Sequence, residues 1–337
     1  MRGIVFLGNR QLEIREFADP EPGPGQAVVA MRASGLCGSD LSPYRAATAQ
    51  SAISGHEPCG VVAAVGPGVE GVAMGDRVMI HHYAGCGHCK YCRIGYEQLC
   101  VQGHLTYGFG THGGNAELIV VPARCLIPLP DRLSFAEGAA IACGTGTAYM
   151  AVKKLDVSGR DTLAIYGQGP VGLSATLLGK AMGAMVIAID VSPDRLALAR
   201  SLGADEILNP QELDPIEAVR DLTHGEGADA TLDCTGNAIA RAQTVRSARV
   251  FGRACFVGEG GTVTLEPSPD IIHRHLTLYG SWTFPMQGLD DCAQFVFDRK
   301  VPLNRLITHR FTLDQAEEAF RTFDAGATGK CVFEIGE

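Results

Sequence analysis

An apolar strand, a glycine-rich turn, a helix and a second apolar strand follow one another over residues 163–190, and the turn reads Gly167-Gln168-Gly169-Pro170-Val171-Gly172. A strand followed by G-x-G-x-x-G, a helix and an acid about 20 residues on is the fingerprint of a dinucleotide site. Gly167 makes the tight turn, Gly169 lets the backbone approach a pyrophosphate, and Gly172 lets the helix pack against the strand. The stretch therefore predicts the first β-α-β unit of a parallel sheet, with a dinucleotide at its edge.

Different groups are expected to hold the two parts of this dinucleotide. Pro170 and Val171 begin the helix whose free N–H groups would bind the diphosphate. Asp190 ends the second strand, where its carboxylate would accept hydrogen bonds from the adenosine ribose and repel a 2′-phosphate. NAD is therefore favoured over NADP, although Arg195, about one helical turn further on, could weaken that preference. The glycines could also form only a tight strand-to-helix corner, but the flanking strand, helix and acid favour the cofactor.

Size and charge narrow the class of protein. With 337 residues the chain is long for a single core, and we expect two domains. A formal net charge of −9 and a pI near 5.6 offer no basic surface for nucleic acid or anionic lipid. The apolar run at residues 1–6 is too short for a signal peptide, and no apolar stretch approaches the length of a membrane span. We therefore expect a cytoplasmic protein without a nucleic-acid or membrane partner.

The hydrophobic period changes along the chain. Up to Pro130, short alternating strands divided by turns predict a small, partly closed β barrel, and helices follow at 134–142 and 147–154. β and α patterns then alternate, which predicts a doubly wound parallel sheet. The segments after Asp290 have no sheet of their own and should return to the N-terminal domain. The parallel strands are predicted at 162–166, 185–189, 230–233, 255–257 and 276–282, with helices at 171–182, 193–202, 215–222 and 238–248.

Four cysteines share one glycine-rich loop, at Cys86, Cys89, Cys92 and Cys100. Closely spaced thiolates can turn back on one tetrahedral ion, and four sulfur ligands with no place for water make a structural zinc site. Iron–sulfur proteins also use C-x-x-C-x-x-C, but the long gap to Cys100 and the absence of a following proline count against a cluster. Four unrelated buried cysteines would be unusual in so polar a loop, because free cysteine prefers apolar interiors.

A second set of candidate ligands is scattered along the chain, at Cys37, at the pair His56-Glu57, and at Cys143. Each of them alone could be a buried small residue or a core histidine. Together with the dinucleotide motif, the four-cysteine loop and the turn at residues 75–78, they resemble the zinc-dependent medium-chain alcohol and polyol dehydrogenases. The resemblance covers essentially the whole chain, and its motifs occur in the order that the family has.

This resemblance implies an α/β protein with a GroES-like, β-rich catalytic domain at residues 1–144, completed by 283–337, and a Rossmann cofactor domain at 145–282. It implies two Zn²⁺ ions per chain, a structural one in the four-cysteine loop and a catalytic one. The ligands implied for the catalytic zinc are Cys37, His56 and Cys143, which leave one position for water or substrate. Glu57 is the neighbour that could approach that ion and stand in for water.

The resemblance also assigns a proton path. Ser39 matches the serine or threonine that takes the proton of the substrate hydroxyl, and Asp40 would orient His56. Relatives often carry a histidine five residues after the first cysteine, whereas this chain has Ser42. The relay beyond Ser39 therefore stays open, as does the question whether Tyr44 lines the pocket.

The remaining implications concern the cofactor and the reaction. Thr147 should contact the nicotinamide end of NAD, and Val257 and Gly258 should lie near the ring. The implied reaction is hydride transfer between a secondary alcohol, such as a polyol, sugar or cyclitol, and NAD, which gives a ketone. The alternatives are a primary alcohol or aldehyde as substrate, and a non-catalytic sensor that binds NAD. A homodimer or homotetramer is expected, since the last strand of the parallel sheet would leave an exposed edge.

Overall fold

Short strands, divided by the turns that glycines and prolines mark, form the N-terminal part of the chain. The computed structural model describes residues 1–336. Buried and more exposed residues alternate along part of these strands, as expected for sheets with one face on the core. The strands are β1 (Arg2–Gly8), β2 (Gln11–Glu16), β3 (Gln26–Gly35), β4 (Pro58–Val65), β5 (Arg77–Ile80), β6 (Tyr83–Ala84), β7 (Leu105–Tyr107), β8 (Gly110–Thr111), β9 (Leu118–Pro122) and β10 (Leu126–Pro128).

The first helices surround this β-rich part. Helix α1 (Leu41–Arg45) follows a short 3₁₀ turn, and α2 (Phe135–Ala140) begins at a capping box, in which Ser134 and Glu137 satisfy each other's backbone N–H groups. After α2 the chain passes through a π-helical segment, Ile141–Thr145, into α3 (Gly146–Lys154). Such wide turns inside helices are frequent at functional sites, and this one carries Cys143.

The middle of the chain forms a parallel sheet with strand order β13-β12-β11-β14-β15-β16. In chain order this is 3-2-1-4-5-6, the order of a Rossmann fold, so the predicted doubly wound sheet is confirmed. Its elements are β11 (Thr162–Tyr166), α4 (Pro170–Ala181), β12 (Met185–Ile189), α5 (Pro193–Ser201), β13 (Glu206–Leu208), α6 (Pro215–Leu222), β14 (Ala228–Asp233), α7 (Ala238–Ser247), β15 (Ala248–Phe256) and β16 (Thr277–Gly280).

Two strands of this sheet differ from the sequence prediction. Strand β13 was not predicted, because three residues are too few to show a period and only β12 pairs with it. Strand β15 begins at Ala248, whereas the sequence predicted residues 255–257. Phe251 has φ +58 and interrupts the register, so the first half of β15 lacks a regular alternation.

The last part of the chain returns to the first sheet. Its elements are α8 (Met286–Asp298), β17 (Ile307–Phe311), α9 (Ala316–Asp324) and β18 (Lys330–Glu334). Strand β18 lies between β3 and β17 in the order β10-β5-β4-β3-β18-β17, while β9 pairs with another part of β3. The chain thus divides into two compact units, of which the second spans residues 147–283 and 301–306 and the first contains the rest.

The core of the first unit contains a cluster of aromatic rings on β1, α1 and α9. The ring centroid of Phe320 lies 5.0 Å from that of Phe6 and 5.2 Å from that of Tyr44. Tyr44 is 4% exposed, so its ring contributes to the hydrophobic core together with Phe333 and Leu36. Among residues 1–336, no helix combines the length and the apolar character that crossing a membrane requires.

Candidate functional site

The glycine-rich turn after β11 has the shape that a diphosphate needs. Gly167 has φ +91, a conformation that favours glycine. A Cβ on Gly172 would lie 1.8 Å from the carbonyl oxygen of Gly167, so only glycine permits this contact between helix and strand. No atom lies within 4 Å of the corresponding position at Gly169, directly before the first turn of α4. The N-terminus of α4, with Pro170 in its first turn, is therefore open to an anion.

The carboxylate of Asp190 is fixed by backbone groups at the end of β12. It accepts hydrogen bonds from the N–H of Gln168 at 2.6 Å and from the N–H of Ser192 at 2.9 Å. Its side chain is 5% exposed, and the guanidinium of Arg195 lies 3.9 Å away. Because each carboxylate oxygen has two lone pairs, Asp190 can still accept hydrogen bonds from a ribose.

The other predicted cofactor residues lie on the same unit. Val257 and Gly258 follow β15 directly, and both donate their N–H to the carbonyl oxygen of Asp233. A Cβ on Gly258 would lie 2.1 Å from the amide nitrogen of Gly236, so the two loops are in close contact. This is the carboxyl edge of the parallel sheet, where dinucleotides bind in such folds. Thr147 is buried in the first turn of α3.

The four-cysteine loop brings its sulfur atoms together. All four lie within 4.8 Å of one another, and the separations from Cys92 Sγ are 3.5 Å to Cys89 Sγ and 3.9 Å to Cys86 Sγ. A zinc ion with Zn–S bonds of about 2.3 Å sets its sulfurs about 3.8 Å apart, so the spacing fits one tetrahedral ion. Backbone N–H groups of Cys92 and Val101 lower the pKa of the Cys89 thiol to about 6, which favours the thiolate that binds metal.

The scattered ligand candidates also come together. One ligand atom from each of Cys37, His56, Glu57 and Cys143 lies within 4.8 Å of the others, on residues that are mostly buried. Two sulfurs, an imidazole and a carboxylate are donors that zinc prefers, and such a set fits a metal ion. A hydrogen bond from the Cys143 thiol is the largest cause that lowers the pKa of Cys37, and the same contact raises the pKa of Cys143.

The imidazole of His56 is oriented from behind by Asp40. The Nδ1 of His56 lies 2.9 Å from Asp40 Oδ1, and the other oxygen of Asp40 accepts the N–H of Cys37 at 2.8 Å. Burial lowers the pKa of His56, but the charges and hydrogen bonds of Asp40 and Cys37 together raise it by more, so the net shift is upward. With its proton on Nδ1, His56 turns the lone pair of Nε2 toward the other ligands. The Oγ of Ser39 lies 3.2 Å from that Nε2 and 3.3 Å from Cys37 Sγ.

Glu57 has a cationic partner that the sequence did not predict. The ammonium of Lys330, at the start of β18, forms an ion pair with Glu57 Oε2 and donates a hydrogen bond to the carbonyl oxygen of Leu36 at 2.9 Å. The two side chains are 1% and 0% exposed. Burial raises the pKa of Glu57 to about 7 although Lys330 opposes the shift. A Cβ on Gly35 would lie 1.9 Å from Glu57 Oε2, so this glycine leaves room for the carboxylate.

Comparisons with known proteins agree with this architecture. The family model for the alcohol dehydrogenase GroES-like domain matches residues 23–131, and the model for zinc-binding dehydrogenases matches residues 170–297. The chain is 40% identical to the uncharacterized zinc-type alcohol dehydrogenase-like protein YphC of Escherichia coli, over 99% of both chains. It belongs to the zinc-dependent medium-chain dehydrogenase family.

Two further members of this family are similar over most of their length. L-threonine 3-dehydrogenase of Pyrococcus horikoshii is 36% identical over 96% of this chain and 95% of its own. The solved structure of alcohol dehydrogenase TADH from Thermus sp. ATN1 superposes with a TM-score of 0.91, at 30% identity and with full coverage of both chains. The predicted family and the predicted pair of folds are therefore confirmed.

Sequence reasoning missed two residues of this dehydrogenase that lie close to the ligand group. Lys330 begins an apolar strand. Because a buried lysine is nearly always paired, a lysine in such a strand indicates a buried anionic partner, and this signal was present in the sequence. His82 follows β5, and its ring centroid lies 5.2 Å from that of His56. Of the residues left open, Ser42 is exposed on α1, and the ring of Tyr44 lies in the hydrophobic core described above.

Proposed function

We propose that this dehydrogenase oxidises a secondary alcohol to a ketone with NAD as hydride acceptor and uses two zinc ions per chain. The observation that carries the proposal is the convergence of Cys37, His56, Glu57 and Cys143 on one point, with the hydroxyl of Ser39 beside it. A non-catalytic NAD sensor would not need an open group of metal ligands next to a hydroxyl. The L-threonine 3-dehydrogenases, which are named for oxidation at a secondary alcohol, support that substrate class over a primary alcohol or aldehyde.

The residues of the chain have separate roles in the proposed reaction. Zinc, when bound by Cys37, His56 and Cys143, supplies a Lewis acid that lowers the pKa of a hydroxyl. Ser39 is exposed, so its hydroxyl would take the proton of the substrate hydroxyl while it gives its own proton to solvent. Asp40 holds His56 in the tautomer that leaves Nε2 free for metal. Lys330 holds the carboxylate of Glu57 and balances its charge. The four-cysteine loop would hold the second ion and stabilise its own fold.

The preference for NAD rests on Asp190. Its carboxylate is held at the end of β12 by two backbone N–H groups, where it would repel the 2′-phosphate of NADP. Arg195 lies near enough to reduce that repulsion, so we expect a preference rather than strict exclusion. The contacts of Thr147, Val257 and Gly258 with the nicotinamide half belong to the same proposal.

We also propose a homodimer, or a homotetramer built from dimers, in the cytoplasm. Strand β16 is the last in its sheet, and Leu278 on it is 37% exposed. An unpaired edge with an apolar side chain favours pairing with the same strand of a second copy.

Metal analysis joined to an activity assay tests the proposed function. Native protein should contain about two zinc ions per chain and should reduce NAD with secondary alcohols and polyols. A chelator should remove the activity, and zinc should restore it. One retained zinc ion, together with no turnover of any secondary or primary alcohol, would favour the non-catalytic sensor instead.

A further inference from the structure

Two loops at the carboxyl edge of the parallel sheet are in direct backbone contact. Residues 234–237 follow β14, and residues 257–261 follow β15. A Cβ on Gly236 would lie 2.2 Å from the carbonyl oxygen of Glu259, and a Cβ on Gly261 would lie 2.1 Å from the carbonyl oxygen of Gly236. Because no side chain fits between the two loops, one of them cannot shift far without the other.

The strand order indicates which half of a dinucleotide these loops would meet. A Rossmann sheet consists of two mononucleotide-binding halves, and the cofactor lies across the point where the strand order reverses. In this sheet the order reverses between β11 and β14. The glycine-rich turn and Asp190 belong to the half that begins with β11, whereas both loops belong to the half that begins with β14. A diphosphate on the glycine-rich turn would therefore place the nicotinamide nucleotide beside the two loops.

Asp233, the last residue of β14, binds both loops. Its Oδ1 accepts hydrogen bonds from the N–H of Thr235 at 2.9 Å and from the hydroxyl of Thr235 at 2.5 Å, and its Oδ2 accepts the N–H of Gly236 at 3.3 Å. Its carbonyl oxygen accepts the N–H groups of Val257 and Gly258. The carboxylate is 0% exposed, and these three donors would satisfy it in part even without a cation.

Arg241, on α7, connects this carboxylate to the second loop. Its Nε lies 3.3 Å from Asp233 Oδ2, and its Nη2 donates a hydrogen bond to the carbonyl oxygen of Gly258. A Cβ on Gly261 would lie 3.6 Å from Arg241 Nη1, so the guanidinium lies directly against the loop. The side chain is only 11% exposed. A planar guanidinium can donate to two separate acceptors at once, whereas a lysine ammonium is a single point charge.

We infer that Arg241 is a positioning residue for the nicotinamide half of the cofactor, on which it acts through the carbonyl oxygen of Gly258. The inference rests on the proposed use of NAD. By holding the second loop against α7, Arg241 fixes Val257 and Gly258, the residues proposed to lie near the nicotinamide ring. The adenosine half would bind at the glycine-rich turn and Asp190, which Arg241 does not contact, so only one half of the cofactor depends on this arginine.

Calorimetric titration of zinc-loaded protein with two nucleotides tests the inference. The nucleotides are NADH and ADP, which lacks the nicotinamide and the ribose attached to it. Arg241→Met keeps an unbranched side chain of similar length but removes the hydrogen bond to Gly258. We expect the Kd of NADH to rise about tenfold, as for the loss of one charge-assisted hydrogen bond, while the Kd of ADP stays unchanged. The ratio of the two Kd values therefore reports on the nicotinamide half alone.

Two further variants separate position from charge and from folding. Arg246→Met, the matched control, removes the same charge from the same helix, but Arg246 pairs with Asp270, which belongs to neither loop, at 3.0 Å and 3.1 Å. This control should leave the ratio unchanged. Arg241→Lys keeps a cation beside Asp233 and protects the fold if the methionine variant is unstable. Its ammonium cannot replace both arms of the guanidinium, so the ratio should rise in this variant as well.

The outcomes separate the inference from the proposed function. A ratio equal to that of the native protein in both Arg241 variants would overturn the inference and leave the dehydrogenase activity standing. An equal rise of both Kd values would also overturn it, because a general loss of structure affects both nucleotides. The same holds if Arg246→Met changes the ratio as much as Arg241→Met does. Native protein that binds NADPH but not NADH would instead overturn the proposed use of NAD, and the same comparison with NADPH would still decide the role of Arg241.

Discussion

Replacing Lys330 by methionine tests the buried ion pair with Glu57. Methionine nearly preserves the volume but removes the charge, so Glu57 must either stay buried as an unpaired carboxylate or take up a proton, and the carbonyl oxygen of Leu36 loses a donor. Breaking a buried pair by removing one partner costs about 3–5 kcal/mol, and the exposures of 1% and 0% put this pair in that class. We expect a loss of that size in the free energy of unfolding, measured by chemical denaturation of metal-loaded protein at an unchanged m-value.

Two further variants show whether the charge is the cause. The double variant Lys330→Met/Glu57→Gln should recover most of the loss, because no uncompensated charge remains in the interior. Glu217→Gln removes the partner of Arg220 in an exposed pair on α6 and should cost less than about 0.5 kcal/mol. A loss for Lys330→Met as small as that of Glu217→Gln, or a double variant no more stable than the single one, would refute the reasoning.

Three other substitutions test separate parts of the site. Asp40→Ala removes the group that orients His56, so zinc affinity should fall about 10–100-fold in a competition with a chromophoric chelator; unchanged affinity would mean that the orientation does not matter. Cys92→Ser should lower the zinc content by one ion per chain and reduce Tm, and a variant that keeps its full metal content would contradict a structural site in this loop. Asp190→Asn removes a charge but keeps an acceptor, and the ratio of kcat/KM for NADP over NAD should rise about tenfold; an unchanged ratio would mean that this carboxylate does not face the ribose.

The parts of the fold that were predictable depend on local signals. Strands β11 and β12 lie at the residues predicted, because short apolar runs flank a glycine-rich turn whose spacing allows one geometry. Strand β13 has only three residues and is defined by its pairing with β12, so no periodic pattern in the sequence predicts it. In β15 the left-handed conformation of Phe251 interrupts the pairing, and only the apolar end of the strand was visible in the sequence.

The site was predictable only in part, because its members are distant in the sequence. The spacing within the four-cysteine loop indicates a metal by itself, whereas Cys37, His56 and Cys143 became a ligand set only through the family resemblance. Lys330 meets Glu57 through a contact between strands that no local pattern encodes. The ring contact between His82 and His56 likewise joins residues that are far apart in the sequence.

The position of β18 has a consequence for the order in which the chain becomes functional during its synthesis. Domains tend to fold as they leave the ribosome, from the N-terminal side. Residues 147–283 emerge before β18, so nearly all of the cofactor unit is present while β3 still lacks a neighbour and Glu57 still lacks Lys330. The ion pair between Lys330 and Glu57 is therefore among the last contacts of the candidate metal site to form, after the cofactor unit has left the ribosome.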